Sequence, residues 1–245
     1  MSRHVPRIYS ETPLATGRRL SLPEDRAHHL LHVLRMKAGA PVVLFDGRGG
    51  EYEATLATVA KHRVEVAVGA HRAVARESPL QLTLAQAISR GERMDYTIQK
   101  AVELGVTRIQ PLETGYSQGR LDGARGEKKL THWREIACSA AEQSGRERVP
   151  EVAAPLELET WLDALPAPTI RLLLDPESPE SLGAAATATE VCLLSGPEGG
   201  FSAAEVARAK AAGFTALRLG PRILRTETAA VAALAVIQAQ WGDLL

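Results

Sequence analysis

Two cysteines occur in 245 residues, Cys138 and Cys192, and neither belongs to a C-x-x-C pair. That scarcity speaks against a disulfide framework or a thiolate metal site, and both thiols read as buried apolar groups. No uncharged apolar run approaches 18 residues. The longest, near Ala229–Ala239, is Ala-rich and interrupted by Gln238. A membrane span is not expected. The opening M-S-R-H-V-P-R has no apolar signal core, which predicts the cytoplasm. G-x-G-x-x-G and G-x-x-x-x-G-K-S/T are both missing, so neither a Rossmann dinucleotide site nor a P-loop is supported. His28 and His32 stand one helical turn apart, but no H-E-x-x-H pattern and no third ligand accompany them, so no metal is expected. Aromatic residues make up only 4% of a chain rich in Ala and Leu, which favours helix-containing architecture.

Lys/Arg and Asp/Glu balance at 29 each, yet unevenly along the chain. Residues 1–78 hold 12 bases against 8 acids and six of the seven histidines; residues 149–201 hold 1 base against 9 acids. A basic N-terminal third is what a polyanion-binding domain shows.

Residues 1–72 carry short alternating segments at 42–46, 52–56 and 64–68, separated by turn signals such as D-G-R-G-G. Period-two alternation at that spacing predicts a small antiparallel β-barrel or sandwich. One helix interrupts it over Pro23–Lys37, with Leu30, Val33 and Leu34 on its apolar face. Residues 71–79 read as a linker. Beyond them strands and helices alternate: strand 82–87, helix 93–105, strand 106–112, a polar loop 114–126 and helix 130–144. They continue with strands 169–174 and 191–195, a helix opened by a Ser202–Glu205 capping box, strand 216–219 and helix 226–241. This pattern predicts an α/β domain over 79–245 with a mostly parallel sheet.

Two glycine-proline loops come after strands and before helices, Gly196-Pro197-Glu198-Gly199-Gly200 and Gly220-Pro221-Arg222-Ile223-Leu224-Arg225. Loops at the carboxyl ends of strands are where open α/β sheets take ligands, and adjacent glycines let a ligand approach the main chain. Arg225 has no capping role to explain it and suits a phosphate or a developing anion. Thr226 and Glu227 read as helix-start residues. His28, His29, His32 and Arg35 form a basic helix face suited to a nucleic-acid backbone. Arg146, at a helix end, is accounted for by the dipole alone.

H-H-L-L-H-V-L-R at 28–35, T-I-Q-K-A-V-E-L-G-V at 97–106, A-A-E-Q-S-G-R at 140–146, G-P-E-G-G-F-S-A-A-E at 196–205 and L-G-P-R-I-L-R-T-E-T-A at 219–229 stand in one order. Together they resemble the ribosomal small-subunit methyltransferase E family of the SPOUT class. The resemblance spans essentially the whole chain. It implies a PUA-like β-barrel over 1–72 that binds RNA, a SPOUT methyltransferase domain over 79–245 with a trefoil knot, and a homodimer.

It also implies S-adenosyl-L-methionine as cofactor and N3-methylation of one uridine, position 1498, of 16S ribosomal RNA in the small subunit. By that resemblance the cofactor rests on Leu174, Asp175, Ser195, Gly196, Glu198, Gly199, Gly200, Leu219, Gly220, Ile223, Leu224 and Thr228. RNA contacts fall to His29, His32, Arg35, Arg146 and Arg222. Arg225 stabilises the uracil anion, and the proton goes to Glu198 or to solvent. Gly115-Tyr116-Ser117 departs from the family's usual E-R-S, so the 114–126 loop receives no role. A different RNA target, or a ribosome-binding protein without catalysis, are the rival readings.

Overall fold

The chain's contacts divide it into two units, residues up to Glu77 with Ala141–Val149, and Ser78–Ala140 with Pro150–Leu245. The computed structural model describes residues 5–60, 63–117, 121, 123–166, 170–181 and 187–245. The expected 114–126 loop and 169–174 strand therefore lie partly outside the described residues. Among these residues no helix is long and apolar enough to cross a membrane.

In the first unit the strands are β1 (Arg7–Tyr9), β2 (Arg19–Ser21), β3 (Pro41–Phe45), β4 (Glu51–Ala60) and β5 (Arg63–Arg72). They form one sheet in the order β1-β3-β4-β5-β2. All pairs are antiparallel except β1 with β3, which run parallel, a departure from the wholly antiparallel expectation. Every second residue of β5 turns inward, so Val64, Val66 and Val68 join Leu44 and Leu56 in the core.

The helix expected over Pro23–Lys37 is shorter. An α-helical stretch α1 (Glu24–His28) gives way to a π-helical turn over His29–Val33, closed by Leu34 N–H donating to the His29 carbonyl at 3.0 Å. The extra residue in that turn rotates the next side chains off the apolar face. Leu30 stays buried, but Val33 and Leu34 face solvent, against expectation. Arg35 then adopts φ +52°, and it is the one non-glycine residue with positive φ among those described.

Residues 141–149 are tied to the rest of this unit by hydrogen bonds and an ion pair. Tyr9 N–H and Arg26 donate to the two Glu142 oxygens, each at 2.9 Å. Glu147 accepts the N–H groups of Gly50 and Arg76.

The second unit holds β6 (Gln81–Ala87), α2 (Glu92–Glu103), β7 (Arg108–Glu113), α3 (Gly123–Ser144, its last residues counted with the first unit), β8 (Glu151–Val152), β9 (Leu156–Glu157) and α4 (Leu158–Asp163). It continues with β10 (Ile170–Leu174), β11 (Glu190–Ser195), α5 (Ala203–Ala211), β12 (Thr215–Leu217) and α6 (Thr226–Trp241). Seven strands make a sheet ordered β12-β10-β11-β6-β7-β8, with β9 also on β7, and every pair is parallel. Alternate residues of β11, Cys192 and Leu194, pack with Trp161, Leu162, Ala209 and Phe214 of α4, α5 and the turn after it. Burial pushes the Cys192 thiol up to about 12, so it stays protonated.

The topology positions the site. From β6 the chain moves to β7 on one side, then returns to fill the other side with β11, β10 and β12. The order of travel reverses beside β6 and β11, and the crevice outside the carboxyl ends of such strands is the ligand position of open α/β sheets.

Candidate active site

Three strand ends open into one pocket of about 980 Å³. Leu174 and Asp175 lie at the end of β10, Ser195 to Gly200 at the end of β11, and Leu217 to Arg225 at the end of β12. Each loop is shaped by its own sequence. Asp175 accepts the Glu177 N–H on its side chain at 3.0 Å, fixing the first turn. In the second, Gly200 donates to the Pro197 carbonyl at 2.9 Å with φ +72°, a conformation glycine adopts without strain. Ser202 and Glu205 then form the expected reciprocal capping box and start α5. In the third, Gly220 turns with φ +68°, and Arg225, not Thr226, occupies the position before α6.

Thr226 has a different task. Its hydroxyl donates to the Gly196 carbonyl at 2.5 Å and accepts from Gln86 Nε2 at 3.2 Å. Gln86 Nε2 also reaches the Gly196 carbonyl at 3.3 Å. Gln86 is fully buried at the end of β6. The two glycine-proline loops are thus joined by a buried polar cluster, and their expected proximity is realised.

Glu198 is held on the other side. Its carboxylate accepts Arg90 N–H at 2.9 Å and Arg93 Nη1 at 2.7 Å. Burial raises its pKa, but these hydrogen bonds and the Arg93 charge outweigh burial and leave it below the ordinary carboxylate value. A carboxylate so occupied is a weaker proton acceptor than expected, because ionisation is already favoured by two donors.

The expected cofactor residues line this pocket apart from Thr228. Arg222 and Arg225 line it too, exposed and without a side-chain partner among the described residues. Arg93, Thr226 and Glu227 were not foreseen there; Gln86, a long polar side chain inside the apolar run L-T-L-A-Q-A, was the available signal. His29, His32 and Arg35 are exposed on the first unit, with the His28 and His32 rings 4.6 Å apart. Among the described residues no three side chains gather as metal ligands.

Arg146 corrects the expectation that it meets RNA. It is 4% exposed, and its Nη2 donates to Glu77 Oε2 at 2.6 Å while Nε bonds the same carboxylate. Its charge is spent within the first unit.

A family model described as an RNA methyltransferase domain matches residues 76–238, and one described as an RNA methyltransferase PUA domain matches 22–69. Ribosomal RNA small subunit methyltransferase E of Buchnera aphidicola subsp. Schizaphis graminum is 34% identical over 251 residues, covering all of both chains. The Bacillus subtilis protein of the same name is 31% identical over 90% of each. The crystal structure of the Neisseria gonorrhoeae protein of that name, bound to S-adenosyl methionine, superposes with TM-score 0.92, at 41% identity over 99% of this chain and 100% of that one. A putative methyltransferase from Legionella pneumophila, in complex with the same cofactor, superposes with TM-score 0.94, at 40% identity over 98% and 100%. With these full-length similarities, the chain belongs to the ribosomal RNA small subunit methyltransferase E family, with a PUA-like first domain and a SPOUT-type second domain.

Proposed function

We propose that the protein methylates N3 of one uridine, position 1498, in 16S ribosomal RNA of the small subunit, using S-adenosyl-L-methionine. The observation that carries this reading is the Thr226–Gly196 hydrogen bond, which sets Arg225, without a side-chain partner among the described residues, beside a glycine-walled pocket. The pocket suits the cofactor. At Gly200 and Gly220 nothing stands within 4 Å of where a Cβ would lie, and among the described residues one Glu227 carboxylate oxygen is buried without a donor. A ligand bearing amino groups supplies such a donor. Leu174, Asp175, Ser195–Gly200 and Leu219–Leu224 hold it in this reading. When bound, it supplies a methyl group activated by a sulfonium.

The chain's own residues do the rest. Uridine N3 carries an imide proton whose pKa lies well above neutrality, so negative charge develops on the uracil oxygens as N3 becomes a nucleophile. The Arg225 guanidinium stays ionised and donates to that charge. Gln86 and Thr226 fix the main chain next to Arg225, so its guanidinium is tethered at the pocket. Glu198 acts as a strut between the 196–200 loop and the start of α2, and the imide proton leaves to solvent.

The first domain, with His29, His32 and Arg35, contributes RNA contacts, and Arg222 adds one at the pocket. The same reading includes a homodimer in the cytoplasm and the trefoil knot of the class.

Two variants probe this arrangement. Thr226→Val leaves the buried Gly196 carbonyl and Gln86 amide short of a partner, which costs about 1–3 kcal/mol. Cofactor affinity measured by calorimetry should fall by roughly 5- to 100-fold, and Thr226→Ser should restore it. Glu198→Gln removes a partly exposed ion pair worth at most about 1 kcal/mol. Its pH–rate profile should keep the parent's shape, whereas loss of the ascending limb would make Glu198 the base.

Primer extension tests the target. A methyl on N3 removes the imide donor of Watson–Crick pairing, so reverse transcriptase should halt next to uridine 1498 in treated small subunits. A halt elsewhere, with none there, gives a different RNA target. No halt together with no cofactor binding favours a non-catalytic ribosome-binding protein.

A further inference from the structure

Outside the pocket loops, an exposed aromatic side chain touches the pocket wall. Tyr116 is 59% exposed, and it packs on Gly199 so closely that a Cβ there would lie 3.0 Å from the tyrosine Cβ and 3.4 Å from Cγ. The ring's position is built by hydrogen bonds. Thr114 N–H donates to Ser117 Oγ, and Ser117 Oγ donates to the Thr114 carbonyl, both at 2.9 Å. Gly115 N–H donates to Glu205 Oε1 at 2.8 Å, while Glu205 Oε2 accepts Ser202 N–H at 2.7 Å. One carboxylate therefore serves the helix start of the cofactor loop and the turn that carries Tyr116. The tyrosine is presented to solvent by a braced turn.

Three guanidiniums line the same pocket as Gly199: Arg222, Arg225 and Arg93, the last paired with Glu198. An aromatic face set among arginines is how proteins hold unpaired nucleotides, the ring stacking on a base and the cations meeting phosphate. A base that is to react at N3 must leave its pair, since pairing occupies that edge. Extruded or unpaired bases are stacked on side chains at such sites. We infer that Tyr116 is a substrate-binding residue that stacks on a nucleobase of the RNA at the mouth of the pocket. This rests on the RNA-methylating function proposed for the same pocket. It assigns the ring, rather than the hydroxyl, as the recognition element.

The test compares Tyr116→Ala and Tyr116→Phe with the parent on small subunits lacking the modification, by methyl transfer and by filter binding without cofactor. The alanine variant should lose roughly 10- to 100-fold in kcat/KM and weaken small-subunit binding comparably. The phenylalanine variant should stay near the parent in both assays, and calorimetry should give all three the same affinity for S-adenosylmethionine. An alanine variant as active and as tightly bound as the parent overturns the inference. So does a phenylalanine variant as damaged as alanine, or a loss of cofactor affinity that matches the loss of activity. If the parent itself transfers no methyl group to small subunits, the function falls rather than the role of the ring alone.

Discussion

Arg225→Ala should lower kcat by about 10²- to 10³-fold while S-adenosylmethionine binds as it does to the parent. The magnitude is that of removing one positioned donor from a developing oxyanion. The separation of effects comes from the structure. Arg225 makes no side-chain bond to either glycine loop among the described residues, so its loss leaves the loops joined through Thr226, Gln86 and Gly196. Arg225→Lys should recover only part of the rate, because an ammonium keeps the charge and loses the planar fork. Calorimetry gives the affinity, and single-turnover transfer gives the rate. Equal loss of both would return Arg225 to a cofactor-binding role.

The second large effect concerns stability. Glu51 is 3% exposed and gathers three arginines, bonding Arg7 and lying 3.0 Å from both Arg72 and Arg76. The Arg7 side chain is itself only 8% exposed, so Glu51→Ala strands a charge out of water and should cost about 3–5 kcal/mol. Differential scanning calorimetry should show the first unit melting more than about 10 °C lower.

The effect has a pH signature. Burial raises the Glu51 pKa, but the hydrogen bonds and charges of Arg7 and Arg76 prevail and hold it below 4.5. The folded state thus binds this proton less readily than the unfolded chain. Its stabilisation is complete above about pH 4.5 and is lost as pH falls through the lowered value. The stability gap between parent and Glu51→Ala should therefore close in acid. Glu142, raised chiefly by burial, has the opposite sign but is present in both proteins and cancels from the comparison. A gap that widens in acid would contradict the assignment.

How far each feature was legible beforehand depends on the span of chain that encodes it. Gly199-Gly200 and Gly220 announce backbone conformations within three or four residues, and Ser202–Glu205 is a capping box visible within one short stretch, so these features emerge where expected. Alternation of strands and helices carried the parallel sheet for the same reason. The Gln86–Thr226 bond joins residues 140 apart, and no local pattern reports it. Arg146 looked like a free helix-end base because its partner, Glu77, lies 69 residues away. The helix at 23–37 failed for another reason: a π turn needs only one extra residue per turn, which periodicity over so short a segment does not resolve. Glu198 reads from sequence as the nearest carboxylate of the loop, and its two donors, from Arg90 and Arg93, lie more than 100 residues earlier in the chain, where no local pattern reports them.

The most direct measurement of the central claim supplies isotopically labelled S-adenosylmethionine and the purified protein to small subunits lacking the modification, then digests the RNA to nucleosides. Label in 3-methyluridine alone, at about one per subunit, is the predicted result. Label on a ribose, on another base or nowhere would contradict it.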